Sequence, residues 1–151
     1  MFPKFTQFVL TAAMLAGAAF GQASPASQNL TGSWLITIAV DGAPGPFAID
    51  MVTYDGRGGM TVIPSDKGES PAVGRYQRTG DREFQSTHTH IVYNDKGTFQ
   101  AIAKVIATQK VNEAGDASLG RYRVEVLDVN GRVLAKITGP IIGKLIVPEP
   151  L

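Results

Sequence analysis

Alternation between apolar and polar side chains dominates the chain from about residue 31 onward. The alternating segments are rich in β-branched residues and are separated at short intervals by glycine, aspartate and asparagine. A period of two is typical of β-strands, and no segment in this region has a helical period. The pattern therefore predicts an all-β protein with eight strands. The predicted strands cover residues 34–40, 47–54, 58–63, 73–78, 83–93, 98–111, 118–129 and 132–145.

Short turns connect most of these strands. Asp55-Gly56, Asp95-Lys96-Gly97 and Asn130-Gly131 place glycine where the chain must adopt a positive φ to reverse. Consecutive hairpins favour an eight-stranded antiparallel up-and-down β-barrel, which leaves no long strand edge unpaired. A two-sheet sandwich with Greek-key crossings is the alternative. The one long connection, residues 64–71, suggests a lid by its length alone.

The turns also predict which side chains face inward. A two-residue turn at Asn130-Gly131 places Val124 opposite Ile137 and directs both, with Tyr122, into the barrel. The same alternation favours even-numbered apolar residues in the first strand and odd-numbered ones in the second. The residues predicted to line an interior ligand site are Ile36, Ile38, Phe47, Ile49, Met51, Phe99, Tyr122 and Ile137.

His88 and His90, the only two histidines, lie two residues apart and therefore on one strand face. That spacing would allow both histidines to bind one metal ion, with a third ligand from a neighbouring strand. However, a turn at residues 95–97 that pairs Tyr93 with Phe99 would place His88 opposite Lys104 on the outward face. We therefore expect a solvated surface there, with no metal and no other cofactor.

The N-terminus has the features of a secretory signal peptide. Lys4 precedes an uncharged run over residues 8–20, and small residues follow at Gly21 and Ala23. The run is shorter than the ~20 residues that span a bilayer. We expect a signal peptide over residues 1–23, cleaved after Gly21 or Ala23, then a polar leader (24–30), the barrel (31–147) and a short tail (148–151). The mature protein would be secreted or periplasmic, with no membrane span.

Composition narrows the classes of function. The chain has no cysteine, which excludes thiol catalysis, and the formal net charge of +1 shows no bias towards nucleic acid. A mature chain of roughly 130 residues is long enough to bury a core without disulfides.

Three Gly-x-aromatic triplets recur at Gly32-Ser-Trp34, Gly74-Arg-Tyr76 and Gly120-Arg-Tyr122. Glycine would let the backbone bend near the barrel floor while the ring fills the interior. The chain resembles the calycin superfamily of lipocalin-like barrels, especially small exported bacterial members with no assigned activity. The resemblance is carried by the Thr31-Gly-Ser-Trp34 start, the Gly74-Arg-Tyr-Gln-Arg-Thr-Gly-Asp81 segment and the Asp95-Lys-Gly-Thr-Phe99 hairpin. The resemblance implies a barrel floor at Gly32 and Trp34, covered by a basic residue from the last strand. Lys144 is the nearest candidate for that residue.

Three functions are compatible with such a barrel. The first is non-catalytic binding of a small apolar or amphipathic ligand in the interior. The second is a barrel-type cyclase or isomerase acting on a hydrophobic substrate, with Tyr76, Arg78 and Tyr122 as candidate catalytic residues. The third is a structural or interaction module whose interior is filled with side chains. The residues do not indicate an oligomeric state.

Overall fold

The computed structural model of the protein describes residues 29–149. They form one closed antiparallel barrel in which the eight strands pair in chain order and β8 pairs back onto β1. The predicted fold class is confirmed, and the sandwich alternative is wrong. The strands are β1 (Gly32–Ala39), β2 (Pro46–Tyr54), β3 (Gly59–Ile63), β4 (Ala72–Gly80), β5 (Glu83–Tyr93), β6 (Phe99–Val111), β7 (Ala117–Leu127) and β8 (Val133–Leu145).

Four hairpin turns share a local device. Each turn begins with an aspartate or asparagine whose side-chain oxygen accepts hydrogen bonds from two backbone N–H groups later in the same turn. These residues are Asp55, Asn94, Asn112 and Asp128. These bonds satisfy donors that the strand ladder leaves free, because Asx side chains mimic a backbone turn. At Asp128 the turn is wider than predicted, since Asp128 N donates to Arg132 O. The predicted register further along, with Val124 opposite Ile137, is nevertheless correct.

The lower end of the barrel, where β1 begins, is closed by a packed aromatic cluster. Trp34 is completely buried and its Nε1 donates to the carbonyl of Leu30 at 2.8 Å. Leu30 is also completely buried, so the packed core includes the residue just before the predicted start of the barrel. Tyr54 and Phe84 complete this floor, with Tyr76 packed edge-on against Tyr54.

The faces of β2 are the reverse of those predicted. Trp34 lies directly opposite Val52, and directly opposite residues share a face, so the even-numbered residues of β2 point inward. Ile49 and Met51 therefore point outward and are about half exposed, at 51% and 42%. Both faces of β2 carry apolar side chains, and for this reason alternation alone selects the wrong one.

The predicted register of β5 against β6 is correct at the turn and wrong beyond it. Tyr93 pairs with Phe99 as expected, but Val92 pairs with Ala101, because a β-bulge adds one residue to β6. This shift reverses the inward face of β5. His88 lies opposite Val105 and His90 opposite Ala103, so both histidines face the interior.

The glycines of the repeated triplets lie where a side chain would not fit or where the backbone has a positive φ. A Cβ on Gly74 or Gly120 would collide with a backbone carbonyl of the adjacent strand, and Gly32 has a φ of +119°. Trp34 belongs to the buried core cluster, and Tyr76 packs against it. Tyr122 lies higher, where it lines a cavity.

Lys144 does not cover Trp34. It pairs with Leu35 on the outward face and is exposed, whereas Leu145 is the residue opposite Trp34. The expected basic cover of the tryptophan is therefore wrong, because strand parity places Lys144 on the outside. Within residues 29–149 no helix is long and apolar enough to cross a membrane.

Trp34→Ala should lower the free energy of unfolding by about 3–5 kcal/mol, since it empties the floor and leaves the Leu30 carbonyl without its donor. Urea unfolding followed by far-UV circular dichroism measures this loss. The neighbouring Leu35 is 43% exposed, so Leu35→Ala is the control and should change the value by less than about 1 kcal/mol. Equal losses in the two variants would contradict this description of the floor.

Candidate functional site

The upper half of the barrel encloses a cavity of about 460 Å³ above the aromatic floor. Seven strands and the β3–β4 connection line it, and most of the lining is aliphatic or aromatic. The volume lies within the range of about 300–1,000 Å³ that is usual for small-molecule sites. The polar residues that line the cavity are Asp50, Asp66, Glu69, Ser86, His88, His90 and Gln109.

Five of the eight predicted lining residues contact this cavity, namely Ile36, Ile38, Phe47, Tyr122 and Ile137. Phe47 is 69% exposed, which places it at the rim of the mouth. Ile49 and Met51 face outward, and Phe99 lies in the hairpin outside the lining. A role in holding a ligand stays a prediction for the five that contact the cavity.

Small side chains create the space. Ala48, Ala103 and Ala107 occupy inward positions on the wall of the cavity.

Two of the candidate catalytic residues lie away from the cavity. Tyr76 belongs to the floor cluster and Arg78 lies at the lower rim, where its guanidinium is 5.9 Å from the ring centre of Phe84 and its Nε donates to Gly80 O. Tyr122 is the candidate that lines the cavity. Burial raises the pKa of its hydroxyl, and the charge of Asp41 adds to that shift.

The β3–β4 connection carries two carboxylates to the cavity and is fastened on both sides. Ser65 N donates to the Asp50 carboxylate, and Ser65 Oγ accepts a bond from Ile49 N, which ties the connection to β2. Gly68 and Ser70 pair with the upper end of β5. These bonds hold the segment as a fixed strap, which does not support the suggested lid.

The strap also orients a histidine. Nδ1 of His90 donates to the carbonyl of Ser70 at 2.7 Å, so Nδ1 carries the proton and Nε2 is the nitrogen left for another partner. His90 is only 2% exposed. The ring of His88 packs edge-on against it with centroids 4.9 Å apart.

His88 is neutral at physiological pH. Burial, and to a smaller extent the neighbouring His90, lowers the pKa of His88 to about 3. Among residues 29–149, its Nδ1 is the buried side-chain polar atom that has no hydrogen-bond partner.

Two carboxyl groups beside the histidines are also perturbed. Burial raises the pKa of Asp50, opposed by the hydrogen bond from Ser65 and the charge of His90. Burial likewise raises the pKa of Glu69, which lies within the electrostatic influence of His90, Asp50 and Asp66. Perturbed titratable groups that converge in an apolar cavity are typical of functional sites.

Lower in the cavity the polar groups are fully paired. Gln109 Nε2 donates to the Tyr54 hydroxyl at 2.9 Å, and Ser118 Oγ donates to Gln109 Oε1 at 2.9 Å. Burial raises the pKa of Tyr54 to about 12, so the phenol stays protonated.

Sequence reasoning misses the acidic part of the site. Alternation assigns Asp50 to the outward face of its strand, and Asp66 and Glu69 look like ordinary polar residues of a long loop. The pairing of β2 with β1 shows that Asp50 faces the interior, because the inward-facing Ile36 lies directly opposite it. Within residues 29–149, no group of three or more histidine, aspartate and glutamate side chains has an arrangement that could hold a metal ion.

The fold and the cavity define a class of protein, a closed eight-stranded antiparallel barrel with an interior cavity, which is compatible with a lipocalin-like fold. Comparisons with protein-family models, with curated proteins and with solved structures find no match to this chain.

Asp50→Asn should increase the free energy of unfolding at neutral pH by on the order of 1 kcal/mol. The folded-state pKa of Asp50 lies above its ordinary value of 3.8, so the folded protein binds the proton more tightly. Stability is therefore lost as the pH rises through the raised pKa, and Asn removes that loss. At pH values below the ordinary pKa of 3.8, the carboxyl group of Asp50 and the amide that replaces it are both neutral. The difference in the free energy of unfolding between the two proteins should then vanish.

Urea unfolding at acid and neutral pH measures this difference. The exposed Asp95→Asn is the control for removal of one negative charge and should show no such pH dependence. A less stable Asp50→Asn at neutral pH would contradict the prediction.

Proposed function

We propose that the barrel is a non-catalytic binding protein that holds a small apolar or amphipathic molecule in its interior. The cavity of about 460 Å³, with its mostly apolar lining, is the observation that carries this proposal. The rim residue Phe47 marks an open mouth above the closed floor at Trp34. A ligand that enters this mouth would place its apolar part among aliphatic side chains.

The proposal includes membership of the calycin superfamily. Its support is the closed up-and-down barrel together with a first strand that begins Gly32-Ser-Trp34 and a tryptophan at the floor. The exposed Lys144 departs from the expected basic cover of that tryptophan.

A filled structural module is less well supported, because the interior above the floor is not filled by side chains. A barrel-type cyclase or isomerase acting on a hydrophobic substrate is a second candidate, favoured by one observation. His90 and Asp50 are buried at 2% and 7% exposure beside an apolar cavity, where a histidine and a carboxyl group suit proton transfer. In that case His90 and Asp50, together with Tyr122, would be the catalytic residues. They would replace the earlier candidates Tyr76 and Arg78.

Binding should depend on the space beside Ala103. Ala103→Phe places a ring in the cavity and should weaken binding of the neutral fluorescent probe Nile red by about tenfold or more, because steric overlap should cost the complex at least about 1.4 kcal/mol. Fluorescence titration of the purified mature protein gives the dissociation constants.

The matched control is Thr108→Phe on the same strand, because Thr108 is exposed on the outward face. Its affinity for Nile red should equal that of the unchanged protein, and thermal unfolding should show that both variants are folded. Absence of Nile red binding to the unchanged protein, or equal affinities for both variants, would contradict the proposal.

We also propose export of the protein to the periplasm or the medium, on the basis of the signal-peptide pattern over residues 1–23, which lie outside the described residues. Intact-mass measurement of the protein from periplasmic and medium fractions should give a chain that begins at Gln22 or Ser24. A chain in the cytoplasm that retains Met1 would contradict export.

A further inference from the structure

The ionisable lining of the cavity is predominantly acidic. Its ionisable groups are the carboxylates Asp50, Asp66 and Glu69 and the histidines His88 and His90, with Tyr54 and Tyr122 as phenols. Within residues 29–149, no lysine or arginine lines the cavity. Even with His90 protonated, the lining would carry a net negative charge whenever the carboxyl groups are ionised.

The unused hydrogen-bonding capacity of this lining consists mainly of acceptors. Asp50 is 7% exposed, and the single hydrogen bond that the described residues donate to its carboxylate comes from Ser65 N at 3.2 Å. A carboxylate can accept about four hydrogen bonds. Nε2 of His90 is an acceptor in the neutral ring, because Nδ1 carries the proton towards Ser70 O.

A buried nitrogen nearby also has no partner. Nδ1 of His88 makes no hydrogen bond to the described residues, although the ring packs against His90. Buried polar groups are normally paired, and each one that is not requires an explanation. The site therefore presents under-used acceptors and an unpaired imidazole nitrogen beside an apolar cavity.

We propose that the interior ligand is an apolar amine, whose ammonium group lies against Asp50 and Glu69 while its hydrocarbon part fills the apolar cavity. The inference rests on the proposed binding function and adds the chemical class of the ligand. An ammonium donates up to three hydrogen bonds and accepts none, which matches the acceptors of the lining. A carboxylate head group, as in a fatty acid, would meet like charges and find few donors.

Three ligands with the same chain length separate these possibilities. Decylamine, decanol and decanoate are titrated against Nile red bound to the purified mature protein at neutral pH and low salt. Decylamine should displace the probe at a concentration about tenfold lower than decanol, because hydrogen bonds to charged groups are the stronger kind, and decanoate should be weakest.

The variants test the assigned carboxylates. In Asp50→Asn/Glu69→Gln the preference for decylamine over decanol should fall to about twofold or less, while the affinity for decanol is retained. Asp95→Asn removes an exposed carboxylate outside the cavity lining and should keep the full preference.

The outcomes distinguish the two proposals. If Nile red and decanol bind but decanoate binds as tightly as decylamine, or the double variant keeps the full preference, the amine inference is overturned and the binding function stands. If neither Nile red nor decanol binds, the proposed function itself fails, and the amine inference fails with it.

Discussion

The position of every inward side chain depends on the closure of the sheet between β1 and β8. Five residue pairs, from Trp34–Leu145 to Ile38–Ile141, join the two strands, and each remaining strand is paired on both sides. A closed sheet fixes the parity of every strand through two neighbours, so no strand can reverse its faces alone. A β-bulge, such as the one between β5 and β6, locally changes which residues of a strand face inward.

The pairing between β1 and β8 also differs between the packed end and the open end of the barrel. Pairing between β1 and β8 stops at Ile141, whereas β8 continues upward to Val133 alongside β7 alone. Above this point Asp41 joins the β1–β2 connection to β8, because Asp41 N donates to Thr138 O and Thr138 Oγ1 donates to the Asp41 carboxylate. Alanines at mid-height leave the enclosed space between the strands. At the floor, where closure is complete, large aromatic side chains meet and fill the interior.

Local pattern is sufficient for the strands and for one hairpin register. Turn residues mark where strands end, and the pairing of β7 with β8 follows from a turn and two alternating strands.

Local pattern fails where the deciding contact is distant in sequence. The inward face of β2 is set by Val52 opposite Trp34, and alternation cannot select it because both faces of β2 are apolar. His88 is misplaced by one extra residue in β6, and no residue type near the turn indicates such a bulge. The acidic part of the site is hidden for a related reason, since Asp66 and Glu69 reach the cavity only because the strap folds back onto β5, through an isolated bridge between Glu69 and Val92. A loop of mixed polar residues does not show from its sequence where it will dock.

The contrast between two polar groups in one interior supports a binding role more strongly than the cavity volume alone. Near the floor, Tyr54, Gln109 and Ser118 pair with one another, so this chain can satisfy buried polar atoms where they serve packing. Higher up, a buried carboxyl group with a raised pKa and an unpaired imidazole nitrogen lie together beside apolar surface. Both features cost folding free energy, and apolar residues of similar size would avoid that cost. A barrel that served only as a scaffold would gain no stability from these two polar groups. In a binding site, a ligand with several hydrogen-bond donors completes their hydrogen bonds and so offsets the loss of folding free energy.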